Sequence, residues 1–321
     1  MPGLQAKTIL ITAASGHIGT ELVSLLHESA PKLNLILPTT NASRLKSSFS
    51  DSLASDSHIK VVEGNLQDPN WFQDVLVMNK VDTVFFCLTG SEELFTTMNC
   101  IDSMIRSKTV KRLIYLSACG DFTSPQALSA LMQKCTAAHV LVKSTIEYKL
   151  QQGNLPFQWT ILGPTLFFIN DLRSKQSMLE HGLFDEPLGE NGVSRVAPAD
   201  IALAVRNLAL AESDHWHGKK VMVGSKKAFT GAEISDVWSK ALGRKIEIFG
   251  TSEQDMDNFE ASFSAHANSA WGRDLRLMYE SFKQMEFGMT DEEYDLQVEL
   301  LGKEAEDYAA WVNKTAQSWR K

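Results

Sequence analysis

"TILITAASGHIGTELVSLL" (residues 8–26) runs from an apolar stretch through a turn of small residues into an amphipathic pattern. Ile18, Leu22, Leu25 and Leu26 recur at helical spacing, so the segment reads as strand, turn and helix. Gly16 and Gly19 stand three apart at the turn. Glycine at such a place lets the backbone approach a pyrophosphate and lets the helix pack on its strand. The helix N-terminus adds free N–H groups and a partial positive charge. Ala13 occupies the position where a dinucleotide fingerprint has its first glycine. Because it ends the strand, extended backbone is expected there, with the methyl only narrowing the gap; a positive φ would cost roughly 1–2 kcal/mol. Ser15 is the candidate hydroxyl for capping the helix or contacting a phosphate.

Outward from this turn, short apolar runs alternate with helical patterns: 33–37, 59–64, 81–88, 111–117 and 157–162. Strands that are apolar throughout and separated by helices imply a parallel sheet covered on both faces, with right-handed crossovers. The expected fold is therefore α/β, a doubly wound Rossmann-type parallel sheet over residues 1–165. A smaller, mainly helical C-terminal substrate-binding part follows over 166–321, with the strand at 219–224 returning to the sheet. "TGAEISDVWSKALG" (230–243) carries Thr230 and Glu233 at capping-box spacing and closes on Gly243, the marks of a helix. Residues 171–196, with three glycines and Pro187, read as loop. Two C-terminal stripes are apolar: Trp271, Met278, Phe282, Met285 and Phe287, and then Tyr308, Trp311 and Trp319 with Thr315. They suit either core packing or a lid over an apolar ligand.

Composition narrows the function. The 321 residues carry a net charge of −8, with 44% hydrophobic and 22% charged residues. An acidic chain without a Lys/Arg cluster is not attracted to nucleic acid or to an anionic membrane surface. The four cysteines show no CxxC spacing, and the eight histidines no HExxH pattern, so neither a disulfide framework nor a metal site is expected. "HWH" (215–217) adjoins Gly218 and reads as a surface loop. The apolar runs are strand-length and "MPGLQAK" leads straight into the first of them, so a cytoplasmic location is expected.

"TAASGHIG", "IKVVEGNLQDP", "VDTVFF", "VKRLIYLSACG", "HVLVKSTIEYKLQQGNLPFQWTILGPTLFFIND" and "VAPADIALAV" follow one another from about residue 7 to 250. In this order they resemble NmrA-like proteins, atypical short-chain dehydrogenase/reductase relatives that are similar to isoflavone reductases and small quinone reductases. The resemblance implies a nicotinamide dinucleotide. Its phosphates would lie on the turn of Ala13, Ser15, Gly16, His17, Ile18 and Gly19; Thr39 would reach a ribose or phosphate oxygen, Asn65 and Leu66 would flank the adenine, and Leu88 and Thr89 would also contact the cofactor. The family often places an arginine after the second strand to hold a 2′-phosphate; Pro38 stands there, with Arg44 and Lys46 as substitutes. No acidic residue stands at that strand end to pair a ribose diol, so the resemblance favours NADP over NAD.

The family resemblance also locates the chemistry. Where typical short-chain dehydrogenases have a Tyr four residues before a Lys, this chain has His139 and Lys143, which i, i+4 spacing puts on one helix face. By that resemblance Lys143 binds the nicotinamide ribose or assists proton transfer, and His139 replaces the tyrosine as general acid. The alternative is a polar helix face on which Lys143 pairs with Glu147. "TILGPTLFFIND" matches the family's loop under the nicotinamide, with Gly163 in place of an arginine. Pro164, Thr165 and Leu166 would lie against the cofactor, with Ser117, Phe167, Phe168 and Asp171 at the substrate pocket. Phe167 and Phe168 suit the core equally well. No metal ligand is expected.

Three functions fit these residues. The first is an NAD(P)H-dependent reductase of a hydrophobic or aromatic small molecule: a quinone, an enone or an intermediate of secondary metabolism. The second binds NAD(P) without turnover and contacts a protein partner as a regulator. The third is a cofactor-free isomerase or cyclase, in which His139, Lys143, Asp171 or Asp185 polarises the substrate.

Overall fold

The computed structural model describes residues 7–122 and 124–320. In chain order its first elements are β1 (Thr8–Ile11), α1 (His17–Ser29), β2 (Asn34–Thr39), α2 (Ala42–Lys46), α3 (Asp51–Ala54), β3 (Ile59–Glu63) and α4 (Pro69–Met78). Then come β4 (Thr83–Phe86), α5 (Glu93–Ser107), β5 (Arg112–Leu116), α6 (Pro125–Lys134), α7 (Ala138–Gln152), β6 (Gln158–Pro164) and β7 (Leu166–Phe167). A 3-10 turn (Phe168–Ser174) leads to α8 (Lys175–Glu180), β8 (Leu183–Phe184), β9 (Val193–Val196), α9 (Pro198–Leu210) and β10 (Lys220–Val223). The chain continues through β11 (Ala228–Phe229), α10 (Gly231–Leu242), β12 (Glu247–Ile248), α11 (Glu253–His266), α12 (Ser269–Phe282), α13 (Asp291–Leu301) and α14 (Tyr308–Trp319).

The sequence divides into two compact units. The first takes the chain up to Ser117 together with Thr145–Gly163 and Pro198–Val221; the second takes Ala118–Ser144, Pro164–Ala197 and everything from Met222.

Seven strands form a parallel sheet in the order β10-β6-β5-β4-β1-β2-β3. The chain starts in the middle at β1, steps out to β2 and β3, then crosses to β4 and steps the other way. The strand expected at 219–224 joins as β10, beside β6. Every residue of β1 and β4 is buried, which explains why both read as unbroken apolar runs. Helix α1 buries Ile18, Leu22, Val23 and Leu26 and packs against α9, while α4 packs against α5. Right-handed crossovers in opposite directions put α1 and the α4–α5 pair on opposite faces. Strand order reverses between β1 and β4, and the carboxyl ends there are where such sheets bind ligands.

The second unit has its own core. Trp238 of α10 is fully buried and stacks on Trp319 at 4.9 Å, and Phe168, Tyr279, Phe282, Phe287 and Tyr308 join the same cluster. Apart from Trp271, both aromatic stripes thus pack on this core, with Met278 and Met285 at its edge. Helix α10 begins with the Thr230/Glu233 capping box and ends on Gly243 at φ +69°. Residues 171–196 depart from the loop expected of them: the 3-10 turn, α8, β8 and β9 lie there. The short strands β8 and β9 pair with β12, and with β7 and β11, so their hydrogen bonds come from distant segments that leave no local signal. Among the described residues no helix is long and apolar enough to cross a membrane.

Candidate functional site

The turn after β1 differs from its expected geometry at one residue. Ala13 lies at φ +52°, not in extended backbone. The strand stops at Ile11 because Thr12 is tied to the exit of β4. Its Oγ1 accepts from Cys87 N–H at 2.7 Å and donates to the Cys87 carbonyl at 2.9 Å. The chain then turns, and Gly16 N–H donates to the Ala13 carbonyl at 3.0 Å. A left-handed residue bearing a Cβ is strained by roughly 1–2 kcal/mol. Ala13→Gly is therefore expected to raise stability by about 1 kcal/mol, after the added freedom of the unfolded chain is subtracted. Denaturant unfolding measures this, and a destabilised variant would contradict the strained geometry.

Gly19 is required by contact, not by φ. A Cβ there would fall 2.4 Å from the Ala13 carbonyl oxygen and 2.6 Å from the Ala14 Cα, so only glycine lets α1 approach the turn. The N-cap of α1 is Gly16, with no side-chain capping bond. Ser15 therefore does not cap the helix; it is exposed beside the exposed Gly16 and His17, while Ile18 and Gly19 are buried. The leading N–H groups of α1 are left without a side-chain acceptor, as an anion site requires.

Beyond this turn, the carboxyl ends of β2, β3 and β4 enclose a cavity of about 400 Å³. Thr39, Asn65, Leu66, Leu88 and Thr89 all line it, so the fold gathers these five sequence-derived positions from three strand ends. Its volume suits part of a small-molecule ligand. Arg44 does not line it. That residue is exposed on α2, its N–H bonded to Asn41 Oδ1 at 2.9 Å. The charged residues of the lining are Glu92 and the buried Glu93. Glu93 accepts from the Tyr115 hydroxyl at 3.2 Å; burial, and then this carboxylate, push that phenol well above its usual value.

One expectation about this corner is corrected. The end of β2 carries no acidic residue, but the neighbouring strand brings one to it. Glu63, paired with Thr39 in the β2–β3 ladder, accepts from Ala42 N–H at 2.8 Å. Its carboxylate thus stands at the start of α2. Reading the β2 end alone could not reveal this, because the contact spans 21 residues.

In the second unit, His139 lies in the first turn of α7 with its Nδ1 hydrogen-bonded to Asp274 of α12. The same carboxylate accepts from Ala138 N–H at 2.5 Å, and Trp271 lies against the imidazole at 5.8 Å. Burial alone would push the Asp274 carboxyl up. The bond and charge of His139, with the backbone N–H groups of Ala138 and His139, outweigh it and hold the carboxyl below its ordinary value. Asp274 was not legible in the sequence, since 135 residues separate it from His139. Lys143, one turn along α7, is buried.

In the first unit, Ser117 ends β5 and donates to the fully buried Glu147, which also accepts from Lys220 Nζ at 2.8 Å. Glu147, which sequence spacing offered as a partner for Lys143, carries the contacts to Ser117 and Lys220.

After β6, the residues expected near the cofactor and substrate separate. Pro164 closes the strand. The Thr165 hydroxyl donates to the Val223 carbonyl at 3.3 Å and accepts from Ser194 at 3.3 Å. Leu166 belongs to the core cluster of the second unit, and Phe167 is half-buried. The 3-10 turn carries Phe168 and Asp171 inward. Phe168 meets the Tyr308 ring edge-on at 5.1 Å, and Asp171 is fully buried in an ion pair with Arg195. Trp238 Nε1 at 3.0 Å and the Tyr308 hydroxyl also donate to Asp171. His217 of the 215–217 triplet accepts from Trp159 N–H at 3.1 Å, and among the described residues no group of His, Cys, Asp or Glu could hold a metal ion.

Comparison with known proteins agrees with this geometry. A family model described as NAD(P)H-binding matches residues 13–209. An NAD(P)H azoreductase of Xenophilus azovorans is 25% identical over 240 residues, covering 74% of this chain and 75% of its own. The NADPH-dependent quinone oxidoreductase QOR2 of Escherichia coli, solved with NADPH, superposes with TM-score 0.76 at 18% identity, covering 96% of this chain and 99% of that one. NmrA, a negative transcriptional regulator solved with NADP, superposes with TM-score 0.70 at 13% identity over 98% and 97% of the two chains. With a glycine turn and a strand-end cavity of the required kind, and with the family model spanning most of its length, the chain belongs to the NAD(P)H-binding family.

Proposed function

We propose that this protein is a nicotinamide-dependent reductase of a hydrophobic, aromatic small molecule such as a quinone, an enone or an azo compound. The observation that carries this reading is the strand-end cavity, in which Thr39, Asn65, Leu66, Leu88 and Thr89 meet. Names of similar proteins, azoreductase and quinone oxidoreductase, support the substrate class. When bound, the reduced dinucleotide supplies a hydride. The residues of this chain then have three tasks. The Gly16–Gly19 helix start and the Ala13 turn bind the phosphates, and the cavity residues hold the adenosine. His139, its Nδ1 hydrogen-bonded to Asp274, takes the part of general acid to the substrate atom that gains charge, and Lys143 that of orienting the ribose.

The test is direct. Purified protein mixed with reduced dinucleotide and a panel of quinones, enones and azo dyes is expected to consume the reduced-nicotinamide absorbance with at least one acceptor. A second reading, a dinucleotide-binding regulator, draws support from NmrA and from His139 standing where a catalytic tyrosine is usual. Tight dinucleotide binding with no oxidation across the whole panel would favour it over the reductase.

A further inference from the structure

We infer that Glu63 makes this chain discriminate against a 2′-phosphate, so that its preferred dinucleotide is NAD(H), the form with a free ribose diol. The inference rests on the dinucleotide reading above and adds the selectivity of that site.

In a doubly wound sheet, the loop after β2 meets the adenosine ribose, and a 2′-phosphate is held there by backbone N–H groups and a cation. Here three of the loop's donors are already engaged. Asn41 N–H donates to Thr39 Oγ1 at 3.1 Å, Ala42 N–H to Glu63 Oε2 at 2.8 Å, and Arg44 N–H to Asn41 Oδ1 at 2.9 Å. One of these acceptors is a carboxylate. A carboxylate accepts from a ribose hydroxyl, but it repels a phosphate monoester bearing between one and two further negative charges.

The rest of the corner does not offset that charge. Thr39, Thr40, Gly64 and Asn65 line the cavity at this end, and its lining includes no Lys or Arg. Arg44 and Lys46 follow on α2; like Glu63 they are exposed and outside the cavity lining, but of the three only the Glu63 side chain is fixed on the loop, by its bond from Ala42 N–H, while the two cations extend into water and salt. The β2 end itself offers Pro38 and two threonines in place of a guanidinium. NAD(H) thus meets a hydroxyl acceptor, whereas NADP(H) meets a like charge with three of the loop's backbone donors taken.

The experiment is calorimetric titration of NADH and NADPH into the full-length wild type and into Glu63→Gln. Glutamine can still accept from Ala42 N–H, so the variant removes the charge and keeps the loop; an unchanged melting temperature verifies that. Wild type is expected to bind NADH roughly tenfold more tightly than NADPH, the factor that one to two charges of repulsion across a solvated gap supply. Glu63→Gln is expected to close most of that ratio, chiefly by tightening NADPH. Equal or tighter wild-type binding of NADPH overturns the inference, as does a ratio that Glu63→Gln leaves unmoved. Binding of neither dinucleotide overturns the cofactor reading itself, and the selectivity with it.

Discussion

Asp171→Ala is expected to destabilise the protein by roughly 3–5 kcal/mol, the loss typical when one partner of a buried ion pair is removed. Asp171 and Arg195 are both fully enclosed, and the guanidinium lies over the Tyr308 ring at 5.2 Å. Arg195 Nε and Nη1 already lack a hydrogen-bond partner among the described residues, so Asp171 carries most of the compensation for that charge. Its removal also strands the Trp238 indole N–H and the Tyr308 hydroxyl, each left with a desolvation cost. In a thermal scan the transition of the second unit should fall by on the order of 10 °C. The double variant Asp171→Leu with Arg195→Met should recover much of the loss, because an apolar replacement leaves no buried charge behind. A single variant that melts within a degree or two of wild type would show that the pair is not what holds the 3-10 turn in the core.

The second large effect is on turnover. His139→Gln and Lys143→Ala are each expected to lower kcat by roughly 10²–10⁴-fold, the range for loss of a positioned proton donor or of its companion. Calorimetric affinity for the dinucleotide should change little in His139→Gln, which separates chemistry from binding. Asp274 acts through His139 as a positioning residue, so Asp274→Asn should lower kcat less and shift its pH dependence. A pure packing role would leave that profile where it is. Linkage supplies a further check. The Asp274 carboxyl is depressed in the folded state, so its stabilising contribution is present above the ordinary carboxylate value and is lost as pH falls through the depressed one. The stability gap between wild type and Asp274→Asn should therefore narrow as the solution is acidified through that interval. Full turnover in both His139→Gln and Lys143→Ala would remove α7 from the chemistry.

Local physics made a large part of this protein readable without coordinates. The apolar runs at 8–13, 33–37, 59–64, 81–88, 111–117 and 157–162 became strands, because buried parallel strands need apolar residues on both faces. Gly16 and Gly19, three apart after the first strand, marked the turn, and the Thr230/Glu233 box with Gly243 marked both ends of α10. Each of these signals lies within a few residues, so neighbours in sequence carry it in full. The cavity positions Asn65, Leu66, Leu88 and Thr89 came from the family resemblance, and the fold brings them together because each follows a strand's carboxyl end.

Tertiary structure decided what depends on groups distant in sequence. Ala13 takes a positive φ because Thr12 is pinned to Cys87, 75 residues on, which ends the strand early. Glu63 reaches the β2 loop from the adjacent strand and brings a carboxylate to it. Asp274 meets His139 from 135 residues away, and Tyr308 meets Asp171 from 137. Burial separates Phe168 and Asp171 from exposed neighbours in a way that no pattern within 164–171 announces, since the 3-10 turn and the partners awaiting it come from elsewhere in the second unit. The sequence by itself thus determined the order of elements and the place of the dinucleotide turn, because periodicity, caps and glycine geometry are local. Charge, strain and burial around the site were decided only by the folded chain, because each is set by the company a side chain keeps across the structure.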